Sequence, residues 1–420
     1  MALAPQASIN AADTAWMMTS TALVLLMTLP GIALFYAGMV RRKNVLATMA
    51  AVVAIAATVS LTWFALGYSL AFTEGWPWLG GSGRFWFSGF EYLKEAGQLA
   101  VSHVAPNVPE SVYAMFQLTF AIITTALVLG AFVERMRFSA ILWFALLWSV
   151  LVYAPVAHWV WEPGGWLAQM GALDFAGGSV VHVNAGVAGL VCAYALGSRK
   201  GYGREAFEPY NLAFTMTGAG LLWVGWFGFN AGSAVSSGAD AGMAMLATHL
   251  SAASATLVWM AIEWIKFGKP SLVGAVTGTI AGLATITPAA GVTGPMGAVA
   301  LGAAASCVCY LAVWLVKRVM GVDDALDVLG VHGVGGALGT LLLPFVALIG
   351  AGGGHLNHPV PQQFITQAIG VVTVALFSII ATYAITKVTD LLVGLRVDRE
   401  HETLGLDFAS HGETGYHINR

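Results

Sequence analysis

Charge is what this sequence has least of. Asp, Glu, Lys and Arg make up 9% of its 420 residues, where soluble domains carry about 25%, so a solvated globular surface is excluded. The two signs nearly cancel, 18 basic against 21 acidic residues, which removes the basic footprint of a nucleic-acid partner. Cysteine is almost missing: Cys192, Cys307 and Cys309 fall in apolar stretches, which argues against a disulfide framework and for ordinary apolar packing. Residues 1–10 have neither a basic stretch nor an apolar core, so they do not form a complete signal peptide, although Ala2-Leu3-Ala4 resembles the end of one.

Apolar runs fill the space that charge leaves. Hydrophobic residues are 58% of the chain. A membrane span takes about 20 of them, and eleven such runs follow one another, centred near residues 26, 58, 122, 148, 188, 220, 253, 280, 307, 339 and 377. The expectation is an all-α polytopic membrane protein. Lys and Arg collect in alternate connections: Arg41/Arg42/Lys43, Arg135/Arg137, Arg199/Lys200/Arg204, Lys266/Lys269, Lys317/Arg318 and Arg396/Arg399. By the positive-inside rule these are cytoplasmic, and the basic loops are taken as topological signals. The other connections hold only Arg84 and Lys94, and 289–296 and 351–361 hold none, giving an N-out/C-in chain. The division is a membrane domain over 1–395 and a cytoplasmic tail over 396–420.

Two runs contain histidine. His182 and His332 sit in Val-His-Val-Asn-Ala-Gly and Val-His-Gly-Val-Gly-Gly, each with glycine at plus four (Gly186, Gly336) and plus seven (Gly189, Gly339). An ionisable side chain at membrane depth is costly and is a functional candidate by default. Matching contexts in the fifth and tenth spans imply a duplication of five plus five spans with one extra helix. Five is odd, so the second copy enters from the opposite side as an inverted repeat, with a site at the repeat interface. Phe35-Tyr36-Ala37-Gly38 and Phe229-Asn230-Ala231-Gly232 echo one another at the ends of the first and sixth spans. The histidines meet near the middle only if both helices begin recessed, on floors of vestibules where non-helical backbone lines water. Asp174-Phe175-Ala176-Gly177-Gly178 and Asp327-Val328-Leu329-Gly330 are short, glycine-bearing and led by an acid. Asp174 and Asp327 are therefore the expected helix caps.

The chain resembles the ammonium transporters, the Amt/Mep/Rh group and its bacterial members above all. Five segments carry the resemblance: Pro30 to Gly38, Glu134-Arg-Met-Arg-Phe-Ser139, Asp174 to His182, Gly225-Trp-Phe-Gly-Phe-Asn-Ala-Gly-Ser233 and Val322-Asp-Asp-Ala-Leu-Asp-Val-Leu-Gly-Val-His332. The resemblance implies a homotrimer in the cell inner membrane with one pore per subunit, conducting ammonium nitrogen (methylammonium as an analogue) inward. It implies no cofactor, no metal and no enzymatic turnover. Carried over by position, Phe116, Trp161 and Ser233 match the outer recruitment site, Phe120 and Phe229 a stacked phenyl gate, His182 and His332 the twin histidines, and Asp174 a structural acid. Aromatic faces attract a partly dehydrated cation, and a hydroxyl accepts one of its hydrogen bonds. One departure is Glu162-Pro163 after Trp161, where relatives have glycines; the extra carboxylate either strengthens cation attraction or is solvated.

Without the resemblance, Phe116, Phe120 and Phe229 are ordinary core aromatics, Trp161 is equally an interfacial belt residue, and Ser233 is a loop or cap residue. His103, His355 and His358 read as solvated loop histidines. Other functional classes compete. An ammonium sensor would share the fold with little transport; a redox protein would use the histidines as haem ligands and would show in an absorbance spectrum. The tail is too short for a fused regulatory domain, but its Gly405-Leu406-Asp407 and Ser410-His411-Gly412 resemble the family's ordered tail. Such a tail, with the basic loops, implies a platform for a PII-type signal protein. Electroneutral and electrogenic transport are not separated by these residues.

Overall fold

The computed structural model describes residues 3–350 and 354–416. Among the described residues eleven helices are long and apolar enough to cross a membrane. They are α1 (Ala11–Met39), α2 (Arg42–Phe72), α3 (Glu110–Phe132), α4 (Phe138–Gln169), α5 (Gly178–Leu196), α6 (Leu212–Gly232), α7 (Ala239–Phe267), α8 (Leu272–Ala289), α9 (Pro295–Val319), α10 (Leu329–Val346) and α11 (Val360–Val393). Two short helices follow, α12 (Arg399–Leu404) and α13 (Leu406–His411). Eleven crossings put the starts of odd-numbered helices at one face, called the first, and the starts of even-numbered helices at the second. Large apolar side chains such as Ile265, Leu391 and Ile380 stay exposed on the outward faces of α7 and α11, as a lipid-bathed bundle allows.

The first face carries what little sheet there is. Strand β1 (Leu3–Pro5) pairs with β5 (Gln98–Ala100), and β5 with β4 (Tyr92–Leu93); β2 (Gly75–Trp76) pairs with β3 (Leu79–Gly80). Of Ala2-Leu3-Ala4, Ala2 lies outside the described residues and the other two belong to β1. Residues 351–353 of the 351–361 connection also lie outside them.

Glycine sets how closely the two halves approach. Gly38, ending α1, lies on Asn211 and Thr215 where α6 begins, and Gly232, ending α6, lies on Ser20 in the first half of α1. Each helix thus rests its final glycine on the other's opening turns, the reciprocal contact an inverted pair makes. At the centre Gly186 of α5 meets the backbone of Gly333 of α10, and Gly336 meets Gly178 and the His182 Cβ. A side chain at these crossings would overlap backbone, which cannot move aside.

Both histidine helices begin with a π-helical turn, Gly178–Val183 and Leu329–Gly333, a widened winding found at functional sites more than elsewhere. Asp174 caps the first: its carboxylate accepts from the N–H groups of Gly177, Gly178, Ser179 and Val180 at 2.9, 2.5, 2.8 and 3.2 Å. The second is not capped by Asp327. Asp324 accepts from Val328 N–H at 3.0 Å and Leu329 N–H at 2.8 Å, whereas Asp327, at φ 61°, turns to Lys317 Nζ at 2.7 Å. Asp327 stands where a cap would, its carbonyl accepting from Val331 N–H at 2.9 Å, but its carboxylate is taken by Lys317.

The second-face arginines are more than topological signals. Arg41 donates through N–H and Nε to Glu134 (2.7 and 2.9 Å), Arg199 bridges Glu134 (3.2 Å) and both oxygens of Asp323 (2.7 and 2.9 Å), and Arg135 donates to the carbonyls of Ala131 and Asp323 (3.0 and 2.6 Å). Arg135 is fully buried. Buried charge persists only when paired, and four connections, those of Arg41, Glu134/Arg135, Arg199 and Asp323, are stitched together by that requirement. Burial opposes ionisation of Glu134, but Arg199 and Arg41 outweigh it and hold the carboxyl below its usual range. The tail packs under this network: Leu406 N–H donates to Asn44 Oδ1 (2.8 Å), Ala47 N–H to Asp407 (2.8 Å), and Arg396 reaches the carbonyls of Leu196 and Ser198 and the carboxylate of Glu402.

Candidate functional site

The structure brings the candidate residues onto one line. From the first face, Phe116 and Phe120 lie one turn apart on α3, their ring centroids 4.9 Å apart. Phe120 meets Trp161 edge-on at 5.7 Å and stacks on Phe229 of α6 at 4.2 Å with ring planes 21° apart. Stacked phenyl rings at that separation leave no passage between them. Trp161 is fixed by its indole N–H, which donates to the Asp174 carbonyl at 2.8 Å. Asp174 therefore holds two parts, the α5 start through its carboxylate and the Trp161 ring through its carbonyl. Ser233, the residue after α6, donates to the Phe229 carbonyl at 2.8 Å, which leaves its oxygen lone pairs as acceptors.

Behind Phe229 the histidines meet as the recessed-helix reading requires. Their Nδ1 atoms are 3.3 Å apart and their rings nearly parallel, 5.3 Å between centroids. Axial ligands on opposite sides of one iron would stand about 4 Å apart, twice a metal–nitrogen bond, so the pair does not have a haem-type arrangement, and the two nitrogens lie within hydrogen-bond distance. Thr287 fixes its direction. Its hydroxyl donates to Leu283 O at 2.8 Å and accepts from the Trp226 indole at 2.9 Å. Its one proton is then spent, so His182 Nε2, 3.3 Å away, must be the donor to it. A neutral His182 with Nε2–H has a bare Nδ1, so His332 donates Nδ1–H and keeps a lone pair on Nε2.

A cavity of about 10 Å³ is lined by Phe229 and both histidines together with Ile32, Tyr36, Leu127, Trp226 and Ile280 among others. That is close to the lower limit for one water-sized molecule.

Several participants escaped the sequence. Thr287 lies in no motif, and Trp226, although inside the Gly225–Ser233 segment, had no role assigned. Asp324 had a signal: it stands eight residues before His332, as Asp174 stands eight before His182. His103 and His358 are not free in solvent, since His103 Nε2 lies 2.8 Å from Glu162 and His358 Nε2 donates to the Met170 carbonyl at 2.9 Å. Glu162 is buried and paired, not solvated.

An apolar eleven-helix bundle with aromatics over a paired intramembrane histidine site defines a multi-pass membrane protein built to pass something small. Comparison with known proteins agrees. A profile of the Ammonium Transporter Family matches residues 15–416. The chain is 47% identical to an ammonium transporter of Aquifex aeolicus (strain VF5), over 99% of this chain and 96% of that one. It superposes on Candida albicans Mep2 with a TM-score of 0.85 at 34% identity, covering 98% and 91% of the two chains. A structure described as a sensor Amt protein superposes with a TM-score of 0.86 at 25% identity, covering 95% and 98%. The chain belongs to the ammonium transporter family.

Proposed function

We propose that the protein recruits ammonium at an outer site formed by Phe116, Trp161 and Ser233, removes its proton on desolvation, and conducts ammonia inward past His182 and His332. One observation carries the reading: a closed phenyl stack stands over a hydrogen-bonded histidine pair in a cavity the size of one small molecule. The aromatic faces take the cation while it is still charged, and Ser233 accepts one of its hydrogen bonds. Parting of Phe120 and Phe229 admits it to a cavity with apolar walls, where burial disfavours the cation over the neutral amine. The bare Nε2 of His332 then offers an acceptor for an amine N–H, and the His332–His182–Thr287 chain keeps both rings in register. Potassium matches ammonium in size and charge but has no proton to lose and no N–H to donate.

In this reading the first face is external and the second cytoplasmic, in the cell inner membrane, with residues 1–395 as the transporter domain and 396–420 as a cytoplasmic tail. The protein works as a homotrimer with a pore in each subunit. The tail ordered against residues 43–47 supports a platform for a PII-type signal protein. A sensor role is the second reading, favoured by the likeness to the sensor Amt protein; it differs in having little or no flux.

The test is methylammonium uptake and ammonium-induced current with reconstituted His182→Ala and His332→Ala protein. Alanine removes the hydrogen bonds without demanding new ones, so a folded protein with changed rate or changed ammonium-over-potassium preference is expected. Unchanged rate and preference in both variants removes the pore role. Absence of flux in the parent protein favours the sensor.

A further inference from the structure

Glu162 follows Trp161 directly, at the point where the long helical run of α4 ends, and its side chain is 4% exposed. One carboxylate oxygen accepts from the Gly164 N–H at 2.6 Å and the other lies 2.8 Å from Nε2 of His103, whose side chain is 37% exposed. His103 belongs to the connection that leads into α3, the helix bearing Phe116 and Phe120. The pair thus ties together the two segments that carry the recruitment aromatics. Because Nε2–H donates to Glu162 whether the imidazole is neutral or charged, Nδ1 can gain or lose a proton from solvent without breaking the contact. Protonation therefore changes the pair's charge and leaves its geometry alone.

We infer that Glu162 and His103 set the affinity of the outer site for its cation: the carboxylate beside Trp161 attracts ammonium when His103 is neutral, and His103 cancels that attraction when it is protonated. The inference rests on the proposal that the cation is recruited at Trp161. Other charged or titratable groups around the pair are engaged differently. Glu110 is locked to Arg84 at 2.8 and 3.0 Å, and Asp13 accepts from the Asn107 amide and the Ser237 N–H. Asp174 is closed by four backbone N–H groups, Tyr113 accepts from Gln117, and His158 of α4 is buried with both ring nitrogens against the carbonyls of Ala71 and Trp76. His103 is the exposed histidine in contact with Glu162, and histidine is the side chain whose charge ordinarily changes between pH 5 and 8.

A unit charge about 10 Å from the cation, at an effective dielectric of about 40–80, changes affinity about two- to four-fold. The experiment measures methylammonium uptake by proteoliposomes at low ionic strength over external pH from about 5 to 8, the window in which histidine charge changes; the probe stays protonated throughout. In the parent the apparent KM should fall by that factor as pH rises. Glu162→Gln should show the parent's acid-side KM at about pH 8 and a still higher one at about pH 5, where protonated His103 is left without its counter-charge, and His103→Gln, which retains a donor, should keep the low KM at every pH. Added salt should shrink the differences. A KM that follows the same pH profile in all three proteins overturns the inference. Trp161→Leu separates the two levels. If it raises KM while the Glu162 and His103 variants track the parent, only this inference fails; if it leaves KM unchanged, the recruitment reading fails. Equal thermal midpoints for the variants exclude a fold defect, and His103→Gln reports independently if Glu162→Gln is unstable.

Discussion

Asp174→Ala tests the idea that a buried carboxylate holds the start of the His182 helix. The side chain accepts from four backbone N–H groups, none of which has another partner within the first turn of a helix. Leaving a buried donor unsatisfied costs about 1–3 kcal/mol, so four set an upper bound of about 4–12 kcal/mol. Two effects reduce it. Replacing an N-cap by alanine generally costs about 0.5–2 kcal/mol because water enters, and the alanine variant no longer buries a carboxylate. That relief is real here, since burial pushes Asp174 above the usual carboxylate range in spite of its four bonds. A net loss of about 3–5 kcal/mol is expected on these terms. Asp324 accepts from only two N–H groups, so Asp324→Ala should cost about half as much. The assay is the thermal midpoint of purified protein in detergent at one scan rate, with methylammonium uptake measured in parallel. Asp174→Ala should fall by several degrees, Asp324→Ala by about half that, and Asp174→Asn, which keeps one acceptor, should lie between Asp174→Ala and parent. Equal midpoints for Asp174→Ala and parent, or a larger loss at Asp324, would refute the donor count as the origin of the effect.

Trp161→Leu should weaken apparent ammonium affinity by removing a cation–π contribution of about 0.5–2 kcal/mol, read as a raised KM with unchanged maximal rate; an unchanged concentration dependence places recruitment elsewhere. Phe229→Ala should alter passage and selectivity, since it removes one ring of the 4.2 Å stack, and ammonium-jump currents with parental amplitude and selectivity would show that the stack does not gate. Burial first, and then Asp327, push Asp324 up to about 6. A raised carboxyl pKa stabilises the fold below the ordinary value, near pH 4, and that contribution, about 3 kcal/mol at most, is lost as pH rises through 6. A protonated-carboxyl infrared band that titrates near pH 6 and vanishes in Asp324→Asn checks it, and a band already absent at pH 4.5 contradicts it. Deleting the tail beyond Arg396 should abolish membrane capture of PII-type proteins from the same cell; capture that survives, or that is absent from the intact protein in both low and high ammonium, removes the platform.

Much of the architecture was legible because lipid imposes one rule on every span. A run of apolar residues at membrane depth must close its backbone hydrogen bonds within itself, so composition alone gave eleven helices. Odd-numbered duplication then forced the second histidine helix to enter from the far side. The site residues were legible only through family likeness. Nothing in the spacing of Phe120 and Phe229, on helices a hundred residues apart, announces that their rings stack, and Thr287 and Trp226 acquire their role only by lying against His182.

The sequence by itself determined the spans, the pairing of the histidine segments and the glycines between them, because hydropathy and the absence of a Cβ are local properties. Tertiary structure decided which acid caps which helix, that Arg135 and Arg199 are buried partners instead of surface charges, and that Glu162 pairs with His103. Capping, ion pairing and proton direction depend on where a lone pair or an N–H points. That is settled by chain segments brought together from far apart.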